Sequence, residues 1–466
     1  MQKTEENVFH DGVIRDARKL GVPRMLVLGL QHMFAMFGAT ILVPILIASY
    51  FKDAVGEAPT TGLTVAVTLF CAGAGTLLFH VLTKMKVPAF LGSSFAFLGG
   101  FATIANLKTG IYANMSANDK AAYACGGVVI AGLLYLVLAL IIKLVGVKRV
   151  MHFLPPIVTG PVIICIGLSL AESAINNAKT NWFLAVIALA VIIIFNIWGK
   201  GMFKIIPILM GVVISYAVAL VMNGMGMTNP DGSAILDFTA VASAPWVGVP
   251  HFQFAKFDLT AILVMAPIAI ATMMEHVGDI SAISATTGNN FLADPGLHRT
   301  LTGDGLATAL AGLIGGPANT TYGENTGVLE LSKVHDPRVI RLAAVYAVII
   351  SFIPKLSDII GTMPSSIIGG VSFMLYGMIS AIGVRNIVEN KVDLTKSRNL
   401  IIAAVIFVCG LGFTDGITFQ IGGASVTLTA LAIAAIAGIV LNAILPGNDY
   451  EFGVNQEGDE NRGVHA

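Results

Sequence analysis

The stretch Gly316-Pro-Ala-Asn-Thr-Thr-Tyr-Gly-Glu-Asn325 interrupts an apolar region of the chain, and Pro88-Ala-Phe-Leu-Gly-Ser-Ser-Phe-Ala-Phe97 interrupts another. Both are rich in residues that do not continue a helix. At membrane depth such breaks leave backbone N–H and C=O groups without partners, so they persist only where they pair, line a wet cavity or meet a ligand. Paired interruptions in two halves of a chain point to the binding site of a transporter. Leu91–Phe97 and Asn319–Tyr322 are therefore expected to pair as short antiparallel strands. The half-helices that follow would aim their N-terminal dipoles at one point. Ordinary loops between shorter spans are the alternative.

The rest of the chain supports a membrane setting. Of its 466 residues 56% are hydrophobic and only 12% charged, and its mean hydropathy is +0.83. In water such a chain would expose large apolar patches. Apolar runs at Met25–Tyr50, Thr60–Thr83, Ala122–Leu144, Phe153–Leu170, Trp182–Trp198 and Ile205–Met222 read as spans. So do Leu259–Ile283, Val339–Phe352, Ile367–Ile382, Leu400–Phe413 and Val426–Leu445. With the weaker segments Val87–Asn106, Leu301–Ile314 and Thr321–Leu331, the count is about 14. If the N-terminus is cytoplasmic, only Lys52, Lys108, Lys120, Lys179, Lys256 and Lys355 of the 27 basic residues fall outside. That asymmetry satisfies the positive-inside rule and places both termini in the cytoplasm.

The longest connection, about 223–258, falls near the midpoint and divides the spans into two sevens. Pro155-Pro-Ile-Val-Thr-Gly-Pro-Val162 and Pro364-Ser-Ser-Ile-Ile-Gly-Gly-Val371 share the pattern P-x4-G-x-V. Each opens the fifth span of its half. An odd number of spans per half makes the repeat inverted. The expected fold is all-α and polytopic, with 14 transmembrane segments as two inverted seven-span repeats and short antiparallel strands in broken spans 3 and 10.

Several classes of function are disfavoured. Formal net charge is zero, which gives no global attraction to nucleic acid. Cys71, Cys125, Cys165 and Cys409 lie in apolar runs without CxxC spacing, so neither a metal site nor a disulfide framework is expected. No HExxH or paired catalytic motif suggests an enzyme. The first 24 residues lack the pattern of a cleavable signal, and the acidic end after Pro446 reads as a solvated tail.

Ionisable residues inside spans are functional candidates by default. Glu275 and Asp279 stand four residues apart, on one helix face. Glu324 follows the second break. Carboxyls sharing a dry cavity cannot all be ionised, so at least one is expected to hold a proton near neutral pH. Backbone N–H groups around Phe95 and Gly323 would be substrate donors. Structural alternatives stand beside these readings: a helix–helix hydrogen bond for Glu275, a cap for Glu324 and a gating role for Asp279. His32 and His276 suit packed, hydrogen-bonded roles, and Asp304 a place at the cytoplasmic interface. No Lys or Arg lies in the three site segments, so a neutral planar ligand with alternating donors and acceptors fits better than an anion.

At these residues the chain resembles the nucleobase–ascorbate transporter family, the nucleobase:cation symporters, over about residues 20–445. The resemblance rests on Gln31-His-Met-Phe-Ala-Met-Phe-Gly-Ala-Thr40, Leu91-Gly-Ser-Ser-Phe-Ala-Phe97, Glu275-His-Val-Gly278, Asp294-Pro-Gly-Leu-His-Arg299, Asn319-Thr-Thr-Tyr-Gly-Glu-Asn325 and the stretch Arg385 to Asp393. It is strongest to the bacterial branch that imports uracil with a proton by alternating access. A xanthine or other purine:proton symporter is the nearer alternative, and an anion transporter on the same fold the more distant one. The resemblance implies a core domain (25–150 and 258–356) and a gate domain (151–226 and 357–446). Around them lie a cytoplasmic N-terminal segment (1–24), an outer loop (227–257) and a cytoplasmic tail (447–466).

It also implies that Glu275 and Glu324 hydrogen-bond the base, aided by the amides of Phe95 and Gly323. Ala39, Tyr322 and Tyr376 would line the pocket. Glu275, Asp279 and Glu324 are the expected proton-coupling residues, with the proton as coupling ion and no other cofactor. The implied setting is the bacterial inner membrane, and members often pair as homodimers through their gate domains. The sequence departs from the pattern at Asp279, where the familiar uracil carrier has a histidine tied to proton coupling, and at Thr326, where isoleucine is expected.

Overall fold

The computed structural model describes residues 13–448 and 450, apart from 109, 415, 422 and 423. The first twelve residues of the N-terminal segment and nearly all of the acidic tail lie outside the described residues. The first half holds α1 (Val22–Val55), α2 (Val65–Leu82), β1 (Leu91–Ser93), α3 (Leu98–Asn106), α4 (Ala117–Val145), α5 (Pro156–Ser169), α6 (Trp182–Trp198) and α7 (Pro207–Gly224). The second holds α8 (Leu259–Met265), α9 (Ile268–Thr287), α10 (Leu297–Leu313), β2 (Asn319–Thr321), α11 (Gly323–Ser332), α12 (Pro337–Ser351) and α13 (Pro354–Gly361). It ends with α14 (Ser365–Glu389), α15 (Ser397–Gly412), the strands β3 (Ile417–Ile421) and β4 (Ala424–Leu428), and α16 (Ala430–Ile444).

By length and composition, seven helical segments among the described residues can cross a membrane, and α12 with α13, bent by 87°, would add an eighth. Shorter apolar helices include α6, α15 and α16. The protein is a helical, multi-pass membrane protein. Side-chain caps satisfy orphan amides at several helix starts. Thr64 accepts from Val67 N, and Ser116 from Asp119 N. Asp336 accepts from Arg338 N and Thr429 from Ala432 N.

The helices pack in two groups. In one, α4 lies on α10, and α2 lies on both α10 and α12, which also meets α1. In the other, α14 packs on α5 and α6, α15 packs on α5 and α16, and α7 packs on α6. Each group has a glycine crossing, where missing side chains let backbones approach closely. A Cβ on Gly132 of α4 would lie 2.6 Å from Gly305 O of α10. A Cβ on Gly383 of α14 would lie 2.7 Å from Gly160 O of α5. The groups meet where α9 touches α5 and α16, and where α1 touches α7.

The two-stranded ladder belongs to the first group, where β1 lies against α1 and α2 and β2 against α9 and α10. β1 and β2 run antiparallel, with Leu91 opposite Thr321, Gly92 opposite Thr320 and Ser93 opposite Asn319. Ser94 N donates to Ala318 O at 2.8 Å, and Tyr322 N to Phe90 O at 2.9 Å. Thr76 Oγ1 donates to Leu91 O at 3.2 Å, while Thr308 Oγ1 donates to Asn319 O at 2.8 Å. These bonds answer the demand that backbone buried away from water be paired.

Three sequence expectations change in detail. Extended backbone stops at Ser94, and Phe95–Phe97 form a 3-10 turn that leads into α3. Lys120, read as an outer-loop charge, is buried in the first turns of α4. Its Nζ donates to Ala105 O at 2.8 Å and Leu107 O at 2.7 Å, capping the C-terminal end of α3. Val426–Leu428, read as the start of the last span, belong to the β3–β4 hairpin. Thr418, Val426 and Thr427 are β-branched and suit a strand. Asp304 is fully buried, beside His276 of α9.

Candidate functional site

The first residue of a helical turn has no intrahelical acceptor for its N–H. Phe95 opens the turn after β1 and Gly323 opens α11 after β2, and neither N-terminus has a side-chain cap. The two half-helices thus present uncapped amides from opposite ends of one small sheet. Phe95 and Tyr322 are buried. Tyr322 OH donates to Ser93 O at 2.8 Å and lies 3.3 Å from Ser93 Oγ, which donates to Thr40 O at 2.9 Å. Ala39, fully buried in α1, precedes that carbonyl.

Glu275 and Asp279 project from α9 beside β2. Glu275 interacts electrostatically with Asp279, Asp304 and Glu324, so the structure gathers these carboxyls. Glu275 is part-exposed between buried Met274 and His276, and Gly323 and Glu324 are part-exposed between buried Tyr322 and Asn325, which marks a cavity between the helix groups. Glu275 Oε2 is buried without a protein partner. In native interiors such an atom calls for a ligand or water.

The far wall of the cavity comes from the second group. Tyr376 of α14 meets Phe95 edge-on, with ring centroids 5.8 Å apart. A Cβ on Gly323 would lie 3.2 Å from Ile382 Cδ1 of α14, and one on Gly278 3.5 Å from Ile163 Cδ1 of α5. Phe95, Tyr376 and Gly323 thus meet at this junction, with Glu275 and Glu324 close by, Tyr322 and Asp279 beside β2, and Ala39 behind them in α1.

Asp279 points differently from Glu275. Its Oδ2 accepts a hydrogen from Thr321 Oγ1 at 2.7 Å. Thr321 Oγ1 is also 3.5 Å from His276 Nδ1, and that nitrogen lies 2.8 Å from Asp304 Oδ2. A buried polar chain thus leads from the cavity into the interior through β2. His32 accepts at Nδ1 from Asn325 Nδ2 at 3.2 Å, and its carbonyl accepts from the same amide at 3.0 Å. Both histidines are packed, hydrogen-bonded groups. Sequence reasoning gave Thr321 no role, although a hydroxyl on a strand opposite a carboxylate-bearing helix face was the available signal.

A family model described as "Permease family" matches residues 23–419. The uracil permease of Bacillus caldolyticus is 39% identical over 441 residues, covering 91% of this chain and 93% of that protein. The uracil permease of Bacillus subtilis (strain 168) is 39% identical, covering 90% and 91%. The putative pyrimidine permease RutG of Escherichia coli (strain K12) is 36% identical, covering 93% and 92%. Among solved structures, the transmembrane domain of the cyanobacterial bicarbonate transporter BicA aligns with a TM-score of 0.51 at 18% identity, covering 88% of this chain and 97% of that one. SLC26A9 aligns with a TM-score of 0.60 at 13% identity, covering 89% and 64%. At those identities the two structures speak to fold alone.

Proposed function

This chain belongs to the permease family, and from that membership we propose that it imports uracil together with a proton by alternating access. It is a transporter, not an enzyme. The observation that carries the substrate reading is the cavity itself. Two part-exposed glutamates, Glu275 and Glu324, face it beside the uncapped amides of Phe95 and Gly323. Carboxyl groups and amides together match a neutral ring that alternates N–H and C=O. The names of the curated relatives support the same substrate.

In this reading Glu275 and Glu324 hydrogen-bond the base, and the Phe95 and Gly323 amides complete its recognition. Ala39, Tyr322 and Tyr376 shape the pocket. Glu275, Asp279 and Glu324 share the coupled proton. The 14 spans form two inverted repeats of seven. The first helix group is the core domain (25–150 and 258–356) and the second the gate domain (151–226 and 357–446). Movement of core against gate opens the cavity to either side of the bacterial inner membrane, with both termini cytoplasmic. Two copies associate through their gate domains.

The test is labelled uracil uptake into proteoliposomes at several imposed pH gradients, for the wild type, Glu275→Gln and Glu324→Gln. Uptake should rise with an inward proton gradient, and both variants should lose binding. Gradient-independent uptake removes the proton coupling. Unaltered binding in both variants removes the site. Preference for xanthine in direct competition reassigns the substrate.

A further inference from the structure

The corner between α12 and α13 carries apolar side chains that the fold does not cover. α12 ends at Ser351, and after two residues the chain turns through 87° into α13. The connection at 244–250 packs onto this elbow through the backbone. Gly248 N donates to Phe352 O at 3.1 Å, and Lys355 N donates to Pro245 O at 3.2 Å. The approach is close at Gly248, where a Cβ would lie 2.8 Å from Pro354 Cγ. Phe352 turns inward against Phe70 of α2. Trp246, Val247 and Val249 turn outward and are 71%, 80% and 66% exposed. Lys355 Nζ sits 5.2 Å from the centre of the Trp246 ring.

We propose that this elbow is an anchor in the membrane–water boundary, with Trp246, Val247 and Val249 seated among lipid headgroups and upper acyl chains. Four observations select that occupant. The apolar segment lies just beyond the end of an apolar helix, the depth at which hydrocarbon gives way to headgroups. Its composition is that of the boundary, since an indole has an apolar body and a polar N–H, and tryptophan is enriched there. A lysine over the ring adds a cation at the level of lipid phosphates, with its stem free to lie along apolar surface. The sharp turn also sends the next helix away from the axis of α12, as a segment lying along the bilayer surface requires.

The chain has three tryptophans, and the other two, Trp182 and Trp198, are exposed residues of α6. Replacing both by phenylalanine leaves Trp246 as the only indole reporter. In proteoliposomes of phosphatidylethanolamine and phosphatidylglycerol, a nitroxide near the headgroup should quench Trp246 more strongly than one near the chain end. Aqueous iodide should quench it less than it quenches free tryptophan. Val247→Asp, which places a charge in the apolar segment, should bring loss of the shallow-lipid quenching and a gain of iodide quenching. Strong iodide quenching without lipid quenching would show a water-exposed loop and overturn the proposal. Protection from both quenchers would show that protein covers the segment, which overturns it equally.

Discussion

Thr321 is where the ladder touches the carboxyls, since its hydroxyl is the donor to Asp279 Oδ2. Removing it leaves a buried acceptor without its partner, at a cost of about 1–3 kcal/mol. Thr321→Val should therefore lower the unfolding temperature of the detergent-solubilised protein, whereas Thr321→Ser should restore it. If Asp279 shares the coupled proton, Thr321→Val also shifts the pH profile of uptake, and Thr321→Ser returns it. Gly92 offers a second test. A Cβ there would run into the ring of Tyr322, so Gly92→Ala should displace that ring and weaken uracil binding, at an overpacking cost of about 1–3 kcal/mol. Titration calorimetry on the purified variant checks this, and unchanged affinity would show that Tyr322 does not shape the pocket. Glu275 and Glu324 were legible in sequence because a carboxyl in an apolar run is costly and rare. Thr321 was not, because a hydroxyl in a span can satisfy itself on nearby backbone. Nor was the pairing of His276 with Asp304, which depends on how α9 and α10 cross.

At the scale of elements, α3 has unusual support. Its N-terminal end faces the cavity, while Lys120 holds its last carbonyls with two charge-assisted hydrogen bonds. Each such bond contributes about 1.5–3 kcal/mol, and a cation at a helix C-terminus adds to it. Lys120→Met should destabilise the protein and raise hydrogen exchange in 98–106 before other spans, a local effect that mass spectrometry can resolve. The segment before α1 is tied down in a comparable way. Ile14 N donates to Lys333 O and Ala17 N to Asp336 Oδ2, while Asp16 meets Arg338. These contacts join residues 14–17 to the loop after α11. Asp336→Ala removes the α12 cap and the Ala17 contact together, so it should cost about 0.5–2 kcal/mol and expose residues 13–20 to exchange.

The Arg18 hydrogen bond holds Asp16 at about 2, below its ordinary 3.8. Most of that shift is local to the segment, and only the smaller part due to Arg338 bears on docking; that part is present above 3.8 and lost as pH falls through about 2. Protection of 13–20 should persist at pH 4 and fall as pH approaches 2. None of this was legible in sequence, because polar residues beside a span read as solvated until the loop they dock on is placed.

For the whole molecule, the two helix groups touch across the cavity at a few points, among them Gly278 with Ile163 and Phe95 with Tyr376. If transport requires one group to move against the other, a tether across this line should stop uptake. Cysteines at Ile163 and Gly278, joined by a short bis-maleimide, should abolish uracil uptake, while the unlinked double variant still transports. Uptake that survives linkage would remove the moving-domain mechanism. The division into groups was legible only coarsely. Hydropathy marks the apolar runs, and the glycine patterns hint at a repeat. Which helices pack together rests on close crossings such as Gly132 with Gly305 and Gly160 with Gly383, and those need three dimensions. The β3–β4 hairpin was hidden for a different reason, since its β-branched residues are also apolar enough to pass for a span.

The ladder between β1 and β2 has a consequence for how the protein is made. Ser93 and Tyr322, which meet in the finished molecule, are 229 residues apart along the chain. Ribosomes add roughly 5–20 residues per second, so the first strand waits about 10–50 seconds for its partner to be synthesised. Through that interval the backbone at 91–94 has no ladder to join. Until then those backbone groups need other hydrogen-bond partners, water among them, because leaving them unpaired away from water is costly.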